Sequence, residues 1–583
     1  MDGGRPTHEP GDRRGGGARR WILAAVALWL AAAGILLALA GLEARAGLRA
    51  AERARDAASV DVTSAPALDE LRRADDRFGR AAARAGSPVV APLKVLPVLG
   101  RQIRSLHALA TGAAAVAGIS AGALEAGQEA LGTTPAGHDD APELLRTLGG
   151  IATEAERELA DVDLGPDEAL VGPLGSAHNT LAARLAELRS GLSRGAAGAR
   201  AAADVLAGPR RYLILAANNA EMRAGSGMFL SAGLLETGDG GLVLSPFRRT
   251  EELALAPGAV PLHGDLADRW GWLKPNEEWR NLGVSPRFDA TAPLAAAMWE
   301  AGGGGPVDGV LAVDPLALRA ILVAVGPVDV EGRTVGADDV VDRLLHDQYL
   351  EFADDPAPTA RREELGLIAG ALMQAVDTRD WKADELGREL AAAARGRHLL
   401  AWSRHEAEQA GWEAAGIDGS LREDSVLLAV LNRGGNKLDR FLRVGAHLDL
   451  QRVGAATQGV LTLTLRNQTP VGEPPYVAGP HPGSGGAEGE YVGLVAVSLP
   501  TGARESRFDG HDALAVAGAD GPTRVVAVPA QVARGEELTL VLRFELAYTG
   551  GSLRIEPTAR VPGVAWSGGD DHWQDGGRHD LRW

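Results

Sequence analysis

The sequence predicts a multidomain α+β protein: a transmembrane helix, a helical stalk, a central α/β domain and a C-terminal antiparallel β-sandwich follow one another along the chain. Three observations lead to this fold class. Residues 21–42 are uniformly apolar, residues 43–206 show helical periodicity, and residues 425–560 contain short strand-like runs separated by Gly, Pro and Asp. Between them, residues 209–418 alternate strand-like and helix-like segments, which is typical of an α/β domain.

The composition is that of a globular protein and excludes several kinds of chemistry. The 583 residues are 45% hydrophobic and 23% charged, which is enough apolar material for a large core. The formal net charge of −18 argues against nucleic acid as a partner, because phosphate recognition needs concentrated Lys and Arg. The chain has no cysteine, so thiol catalysis, cysteine-ligated metal sites and disulfides are excluded.

The stretch Trp21–Leu42 is predicted to cross the cell membrane once. It carries no ionisable side chain, and about 20 apolar residues in a helix span the hydrocarbon core of a bilayer. Arg19 and Arg20 favour a cytoplasmic N-terminus, with residues 1–20 as a disordered tail and the bulk of the chain extracytoplasmic. A cleaved signal peptide is the alternative, since Ala38-Leu39-Ala40 has the A-x-A form of a cleavage site.

Residues 43–206 are predicted to form a helical stalk, arranged as an antiparallel bundle or a hairpin. In its last helix, leucines recur at spacings of four, three and four and therefore share one packing face. They are Leu181, Leu185, Leu188 and Leu192. No motif in the stalk indicates chemistry, so a spacer is the favoured interpretation.

The central domain is organised around the segment from Arg210 to Phe247. Tyr212–Ala217 and Met228–Leu235 are apolar runs of strand length. Polar side chains lie between them: Asn218, Asn219, Glu221 and Arg223. We expect this cluster to form a loop from one strand to the next, where a scaffold usually presents its functional residues. The favoured interpretation is a structural lock, in which these side chains bond one another and nearby backbone, and an anion or glycan-carrier site is the alternative.

Strand and helix signals continue after this segment. Val310–Val313 is a predicted strand, and Arg361 and Arg362 stand near the start of a later predicted helix. Asp308 and Asp314 flank the strand. They are interpreted as turn and helix-cap residues, with metal ligation as the alternative.

From Ser425 the periodicity changes to that of strands. The runs Val460–Leu465 and Leu538–Arg543 alternate apolar and polar residues, as half-buried antiparallel strands do. A β-sandwich is therefore predicted over residues 425–560, and the Gly-rich residues 561–583 are predicted to be a flexible tail. A polar cluster at the start of this region is predicted to lock the interface between the central domain and the sandwich, with ligand contact as the alternative: Asn432, Asn436, Lys437 and Asp439.

These motifs resemble a bacterial membrane-anchored family, domain of unknown function 4012 (DUF4012). The resemblance rests on several motifs in matching order: Asn218 to Arg223, Val307–Val310, Asp314-Pro315, Gly326–Val328, Asn432–Asp439 and Asn467–Tyr476. It covers most of the chain from Pro209 to about Pro557. It implies membrane anchorage and a location in the cell envelope, and it implies no reaction.

The central domain is also similar, more weakly, to the LytR–CpsA–Psr phosphotransferases. That family transfers glycan polymers from polyprenyl pyrophosphate carriers to peptidoglycan, with arginines, an aspartate and a divalent metal at the pyrophosphate. The similarity places Arg223 near the family's first-loop arginine, and Arg361 or Arg362 near its later helix arginine. The family's Arg-x-Asp-Thr signature is not matched, because Ala224-Gly225-Ser226 follows Arg223.

Three functional hypotheses follow. The leading one is an accessory factor in cell-envelope or exopolysaccharide assembly that binds a phosphorylated glycan or its polyprenyl-phosphate carrier, since arginine forks suit phosphate. The others are a phosphotransferase that attaches glycan polymers to the cell wall, the one version that would use Mg²⁺, and a non-catalytic envelope scaffold. Catalytic residues and metal ligands are not assigned. The candidate ligand-binding residues are Asn218, Asn219, Glu221, Arg223, Asp308, Arg361 and Arg362.

Overall fold

A computed structural model describes residues 15–60, 65–133, 140–238, 241–351, 359–378, 381–481, 483, 485–548 and 550–583. These residues form a mixed helix and sheet structure with an apolar helix near the N-terminus, as the sequence predicts. The chain divides into two compact units. Unit 1 comprises residues 1–130 and 150–193, and unit 2 comprises residues 131–149 and 194–583.

The α-helices are, in chain order, α1 (Gly15–Val60), α2 (Ala65–Ala85), α3 (Leu99–Thr133), α4 (Ala141–Ala160), α5 (Gly172–Ala207), α6 (Phe288–Ala301), α7 (Pro315–Val325), α8 (Val340–Asp342), α9 (Gln348–Glu351), α10 (Thr359–Thr378), α11 (Ala383–Arg395), α12 (Glu406–Ala415) and α13 (Pro475–Ala478). Short 3₁₀ and π segments lie at Ala91–Val95, Thr250–Leu253, Leu266–Trp270, Gly271–Leu273, Trp279–Val284, Arg343–Asp347 and Leu438–Arg440.

The strands are β1 (Arg210–Met222), β2 (Gly227–Gly238), β3 (Gly241–Leu244), β4 (Arg248–Arg249), β5 (Gly309–Val313), β6 (Val328–Val330), β7 (Arg333–Val335), β8 (Leu399–Ser403), β9 (Ser425–Asn432), β10 (Leu442–Val453), β11 (Ala456–Asn467), β12 (Tyr491–Pro500), β13 (Ala503–Phe508), β14 (Val516–Asp520), β15 (Thr523–Val532), β16 (Glu537–Leu546), β17 (Ser552–Ile555), β18 (Ala565–Gly568), β19 (Asp571–Gln574) and β20 (His579–Arg582).

Unit 1 is built from long helices with small side chains at their contacts. α2 packs on α1, and the Phe78 ring fits there because a Cβ on Gly47 would lie only 2.8 Å from it. The predicted leucine face of α5 also packs inward, with Leu185 buried against Leu109 of α3 and Leu159 of α4. Both α1 and α3 contain segments long and apolar enough to span a membrane, with mean hydropathies of 2.4 and 1.4.

The central sheet of unit 2 has the strand order β3-β2-β1-β5-β8, with β4 paired to β2. β1 and β5 are parallel, and the other neighbours are antiparallel. Alternation along β1 covers both faces, because Leu213 and Leu215 pack with Met298 of α6 while Tyr212 packs with Trp412 of α12 on the other side. Packing on both faces holds β1 in place, and so it sets the position of the C-terminal end of the strand, near Met222.

The C-terminal half of unit 2 contains two six-stranded sheets, β13-β16-β11-β10-β18-β19 and β14-β15-β12-β9-β17-β20. Their inner faces share one apolar core, in which Leu428 of β9 meets Leu461 of β11. The outer face of β9 is covered too, since Leu427 and Leu431 pack with Trp270. β9 is therefore buried along its whole length, which explains its unbroken apolar sequence.

The structure corrects the expectation that the polar cluster after Ala217 is a loop. These residues continue β1 as far as Met222, with Asn218 opposite Met228 and Met222 opposite Gly227 across an irregularity in the register. The polar side chains are tolerated inside a buried strand because other parts of unit 2 supply their hydrogen-bond partners.

The structure also differs from the expectation of a flexible tail over residues 561–583. β18 pairs with β10 and β20 pairs with β17, so the tail completes both sheets of the sandwich. Trp566 and Leu581 are buried in the sandwich core. The Gly-rich composition of this segment predicts flexibility, and it outweighed the signal of these two apolar residues.

Candidate functional site

A buried ion pair lies at the far end of β1. The Lys437 ammonium is 2.9 Å from the Glu221 carboxylate, and the side chains are 2% and 7% exposed. Burial alone would lower the pKa of Lys437, but the charge and hydrogen bond of Glu221 together with the Tyr349 and Tyr476 hydroxyls raise it by more, so the net shift is upward. The pair joins β1 of the central sheet to the loop between β9 and β10.

A second buried carboxylate, Asp439, lies at the same contact between β1 and the loop that joins β9 to β10. It accepts hydrogen bonds from the Met222 backbone N–H at 3.0 Å, from Asn432 Nδ2 at 2.9 Å and from Arg560 Nη1 at 2.8 Å. Asn432 Nδ2 also donates to Asn436 Oδ1 at 3.0 Å. The four residues predicted to form an interface cluster are thus brought together, and they connect β1 with the sandwich.

Arg223 is buried and donates to backbone carbonyls. Its Nε reaches Arg280 O at 3.0 Å, and its Nη1 reaches Met222 O at 3.0 Å and Asn432 O at 2.8 Å. Burial lowers the pKa of Arg223, and the nearby carboxylates of Glu221 and Asp439 offset part of that shift. In this conformation Arg223 holds together three backbone segments.

Asn219 belongs to a neighbouring buried cluster. Its Nδ2 donates to Asp314 Oδ2 at 2.7 Å and to Ala559 O at 2.6 Å. Asp314 also accepts from the first backbone N–H groups of α7, as a helix N-cap does. His398 Nδ1 lies 2.6 Å from Asp314 Oδ2. Burial lowers the pKa of His398, but Asp314 raises it more, and the net shift is upward.

Beside this buried network lies a pocket of about 120 Å³. It is lined by Ala216, Ala217, Asn218, Leu230, Ser231, Arg249, Thr250, Glu251, Arg280, Pro315, Leu344, Gln348, Tyr349 and Tyr476. Asn218 is the one predicted ligand-binding residue that the structure places in this lining. Its Nδ2 donates to Tyr349 Oη at 2.6 Å, so it orients that ring.

Two tyrosines form an aromatic wall of the pocket. The ring centroids of Tyr349 and Tyr476 are 5.6 Å apart. Lys437 Nζ lies 5.5 Å from the first centroid and 5.3 Å from the second, within cation–π range of both rings. The buried Glu221–Lys437 pair therefore supports the pocket wall.

Two arginines supply positive charge to the pocket. Arg249 is ion-paired with Glu251, and Arg280 donates from Nε and Nη2 to Glu278. Burial would raise the pKa of Glu278, but Arg280 lowers it more, and the resulting charge on Glu278 raises the pKa of Arg280. Because Glu278 bonds to Nε and Nη2 of Arg280, the third guanidinium nitrogen, Nη1, is not part of this ion pair. The Arg280 side chain is 43% exposed.

Residues 207–349 match the model of a family described as "Protein of unknown function (DUF4012)". The chain carries a DUF4012 region. That region contains β1 and every residue of the pocket lining except Tyr476. No curated protein and no solved structure matches the chain. The resemblance beyond residue 349 and the similarity to LytR–CpsA–Psr phosphotransferases stay predictions.

Asp308, another predicted ligand-binding residue, is not in the lining of this pocket. Asp308 precedes β5 at the opposite end of the sheet, where it accepts from the Arg211 backbone N–H at 2.8 Å and contacts His405 Nε2 at 2.8 Å. The backbone of Arg361 and Arg362 lies in α10, and their side chains lie outside the described residues.

Sequence reasoning missed most of the residues that line this pocket. Arg249 and Arg280 each stand beside glutamates in the sequence, which looks like ordinary surface charge. Tyr349 lies in an amphipathic helical segment, where a buried core role is the usual interpretation. The available signal was Tyr476, an aromatic residue in a long Pro- and Gly-rich loop.

Proposed function

We propose that this chain is a single-pass, membrane-anchored, extracytoplasmic protein that binds a phosphorylated glycan, or its polyprenyl-phosphate carrier, as an accessory factor in cell-envelope or exopolysaccharide assembly. The observation that carries the proposal is the pocket at the end of β1, whose lining combines an aromatic wall with two half-buried arginines. The DUF4012 region supplies nearly all of it.

The pocket chemistry supports a ligand with a sugar part and a phosphate part. The Tyr476 ring is 47% exposed and packs against the buried Tyr349 ring, so this wall offers an apolar surface with a polar edge, which suits the C–H face of a sugar ring. The planar forks of Arg249 and Arg280 match phosphate oxygens and keep their charge at all physiological pH values. In this proposal the anion contact lies on Arg249 and Arg280, and Arg223 positions Arg280 through the hydrogen bond to its carbonyl.

The apolar part of α1 supports membrane anchorage. Its long hydrophobic segment has a mean hydropathy of 2.4 and is mostly uncovered by other parts of the chain. Arg19 and Arg20 before this segment favour the cytoplasmic side for the N-terminus. The pocket then faces the compartment in which envelope glycans are assembled.

Calorimetric titration of the full chain in nanodiscs tests the proposal. The ligand is a sugar linked through diphosphate to a short, water-soluble prenyl chain, and the same sugar without phosphate is the matched ligand. We expect saturable binding of the phosphorylated form. Arg280→Ala and Tyr476→Ala should each weaken it about tenfold or more, which corresponds to at least about 1.4 kcal/mol.

Arg543→Ala and Tyr548→Ala are matched controls, because both side chains are partly exposed in the sandwich and neither lines the pocket. Their affinities should equal that of the unmodified chain. Absence of binding by the folded, unmodified chain would overturn the proposal and favour the envelope scaffold. Mg²⁺-dependent release of the prenyl carrier would instead identify the phosphotransferase.

A further inference from the structure

A proline-rich connection in unit 1 exposes apolar side chains. This connection, residues 86–98, joins α2 to α3 and is called the proline segment below. Val95 is 81% exposed, Val98 is 74% exposed and Leu96 is 48% exposed. Several exposed valine and leucine side chains on one short segment are typical of a surface that contacts an apolar partner or a membrane.

The proline segment packs on the apolar part of α1. Val90 and Leu93 form a small core with Ala33 of α1, and Trp29 Nε1 donates to Val89 O at 2.9 Å. At 1.5 Å rise per residue, Trp29 lies roughly 20 Å along the helix from Leu42, the last residue of the apolar stretch. A bilayer that surrounds α1 at this level must therefore also meet the proline segment.

Much of the backbone of the proline segment is hydrogen-bonded within the protein. Apolar lipid requires every backbone donor to be satisfied within the protein. The N–H groups of Val90 and Ala91 bond to Ser87 O, and that of Leu96 bonds to Leu93 O. The prolines at positions 88, 92 and 97 have no N–H to satisfy.

Charged side chains mark the level at which α1 and α2 leave the apolar layer. Glu43, directly after the apolar stretch, is ion-paired with Arg77 and Arg84 of α2. The proline segment continues from the end of α2 toward the apolar middle of α1. Its single charged residue, Lys94, has a long stem that can carry the ammonium back to the headgroups.

We propose that the proline segment is a re-entrant membrane segment, inserted beside α1 with its exposed valines and Leu96 against lipid acyl chains. The inference rests on the membrane anchorage proposed above. Its grounds are continuity with the apolar surface of α1, the exposed side chains and the hydrogen bonds within much of its backbone. The partner is the lipid bilayer, so the membrane anchor comprises α1 together with the proline segment.

The absence of cysteine from the chain allows a direct test. Single variants Leu28→Cys, Leu96→Cys and Leu48→Cys are labelled with an environment-sensitive fluorophore in the full chain and reconstituted into liposomes. Leu28 lies in the apolar stretch of α1 and is 74% exposed; Leu48 lies beyond Glu43 and is 48% exposed, like Leu96. Lipids spin-labelled on their acyl chains serve as quenchers, and iodide serves as the aqueous quencher.

We expect the label at position 96 to behave like that at position 28, with at least twofold quenching by the spin-labelled lipids and little by iodide. The label at position 48 should respond to iodide. Lipid quenching at 28 with iodide quenching at 96 overturns the re-entrant segment and leaves the anchor intact. Iodide quenching at 28 overturns the anchor itself. Protection of position 96 from both quenchers would show a protein cover, such as a second copy, and would also overturn the inference.

Discussion

Lys437 contacts Glu221 at 2.9 Å and at the same time lies under the rings of Tyr349 and Tyr476. One ammonium group therefore connects a strand of the central sheet with an aromatic wall of the pocket. Because Lys437 stands in the loop after β9, the sandwich contributes to the shape of the pocket in the DUF4012 region. Disturbing this pair should change both stability and binding.

Lys437→Met should lower the free energy of unfolding by about 3–5 kcal/mol, because it leaves the Glu221 carboxylate buried without its partner. The double variant Glu221→Gln/Lys437→Met should lose much less, since it removes both charges. Guanidinium unfolding of the unmodified chain, Lys437→Met, Glu221→Gln and the double variant, followed by tryptophan fluorescence, measures the coupling. Equal losses in the single and double variants would show that the pair contributes nothing specific.

Asp439→Asn should also lower the free energy of unfolding by about 3–5 kcal/mol. The substitution removes the negative charge that faces the buried Arg560 guanidinium at 2.8 Å. Asp509→Asn is the matched control, because Asp509 pairs with Arg543 at 2.9 Å on the exposed surface. The control should cost at most about 1 kcal/mol. Similar losses in both variants would contradict a special role for the Asp439 junction.

The elements that could be predicted from sequence are those whose periodicity arises locally. The predicted strand Val310–Val313 is β5 with one residue added at its start, and the alternating runs Val460–Leu465 and Leu538–Arg543 lie inside β11 and β16. Strands of mixed composition, such as β10 and β18, are not predicted. β18 has only four residues, and its burial depends on pairing with β10, more than a hundred positions earlier in the chain.

In the candidate site, too, the local pattern could be predicted from the sequence, whereas the distant contacts could not. Asn218, Glu221 and Arg223 stand out in the sequence as a polar group between apolar runs. Their partners come from residues more than a hundred positions away, such as Tyr349 and Lys437. The sequence therefore points to the segment that lies beside the pocket, but it could not show that these side chains contact the pocket wall from its buried side.

Asp575 should make stability depend on pH between about 4 and 6. Burial raises its pKa to about 6, although Thr558 donates to it from both N–H and O–H. An unfolded aspartate has a pKa of about 3.9. The folded state therefore binds this proton more tightly, and a contribution of about 3 kcal/mol is present below pH 4 and lost as pH rises through 6.

The variant Asp575→Asn isolates this effect, because the amide oxygen can still accept from Thr558. The difference in free energy of unfolding between the variant and the unmodified chain, measured at several pH values, should shift toward the variant from pH 4 to pH 6 and stay level above pH 7. A constant difference over the whole range would contradict a raised pKa at this carboxyl.

Asn218→Ala should weaken binding of the phosphorylated glycan ligand without abolishing it. The variant loses the 2.6 Å hydrogen bond that orients the Tyr349 ring, and a buried hydrogen bond is worth about 0.5–1.5 kcal/mol, or roughly a two- to tenfold change in affinity. Asn276→Ala is the matched control, because its amide donates to Val260 O at 2.6 Å away from the pocket lining. Calorimetric titration of both variants with the diphosphate-linked sugar distinguishes positioning of the ring from a general loss of stability. Weaker binding in Asn218→Ala alone supports the aromatic wall as a ligand contact, whereas unchanged affinity would show that Tyr349 does not touch the ligand.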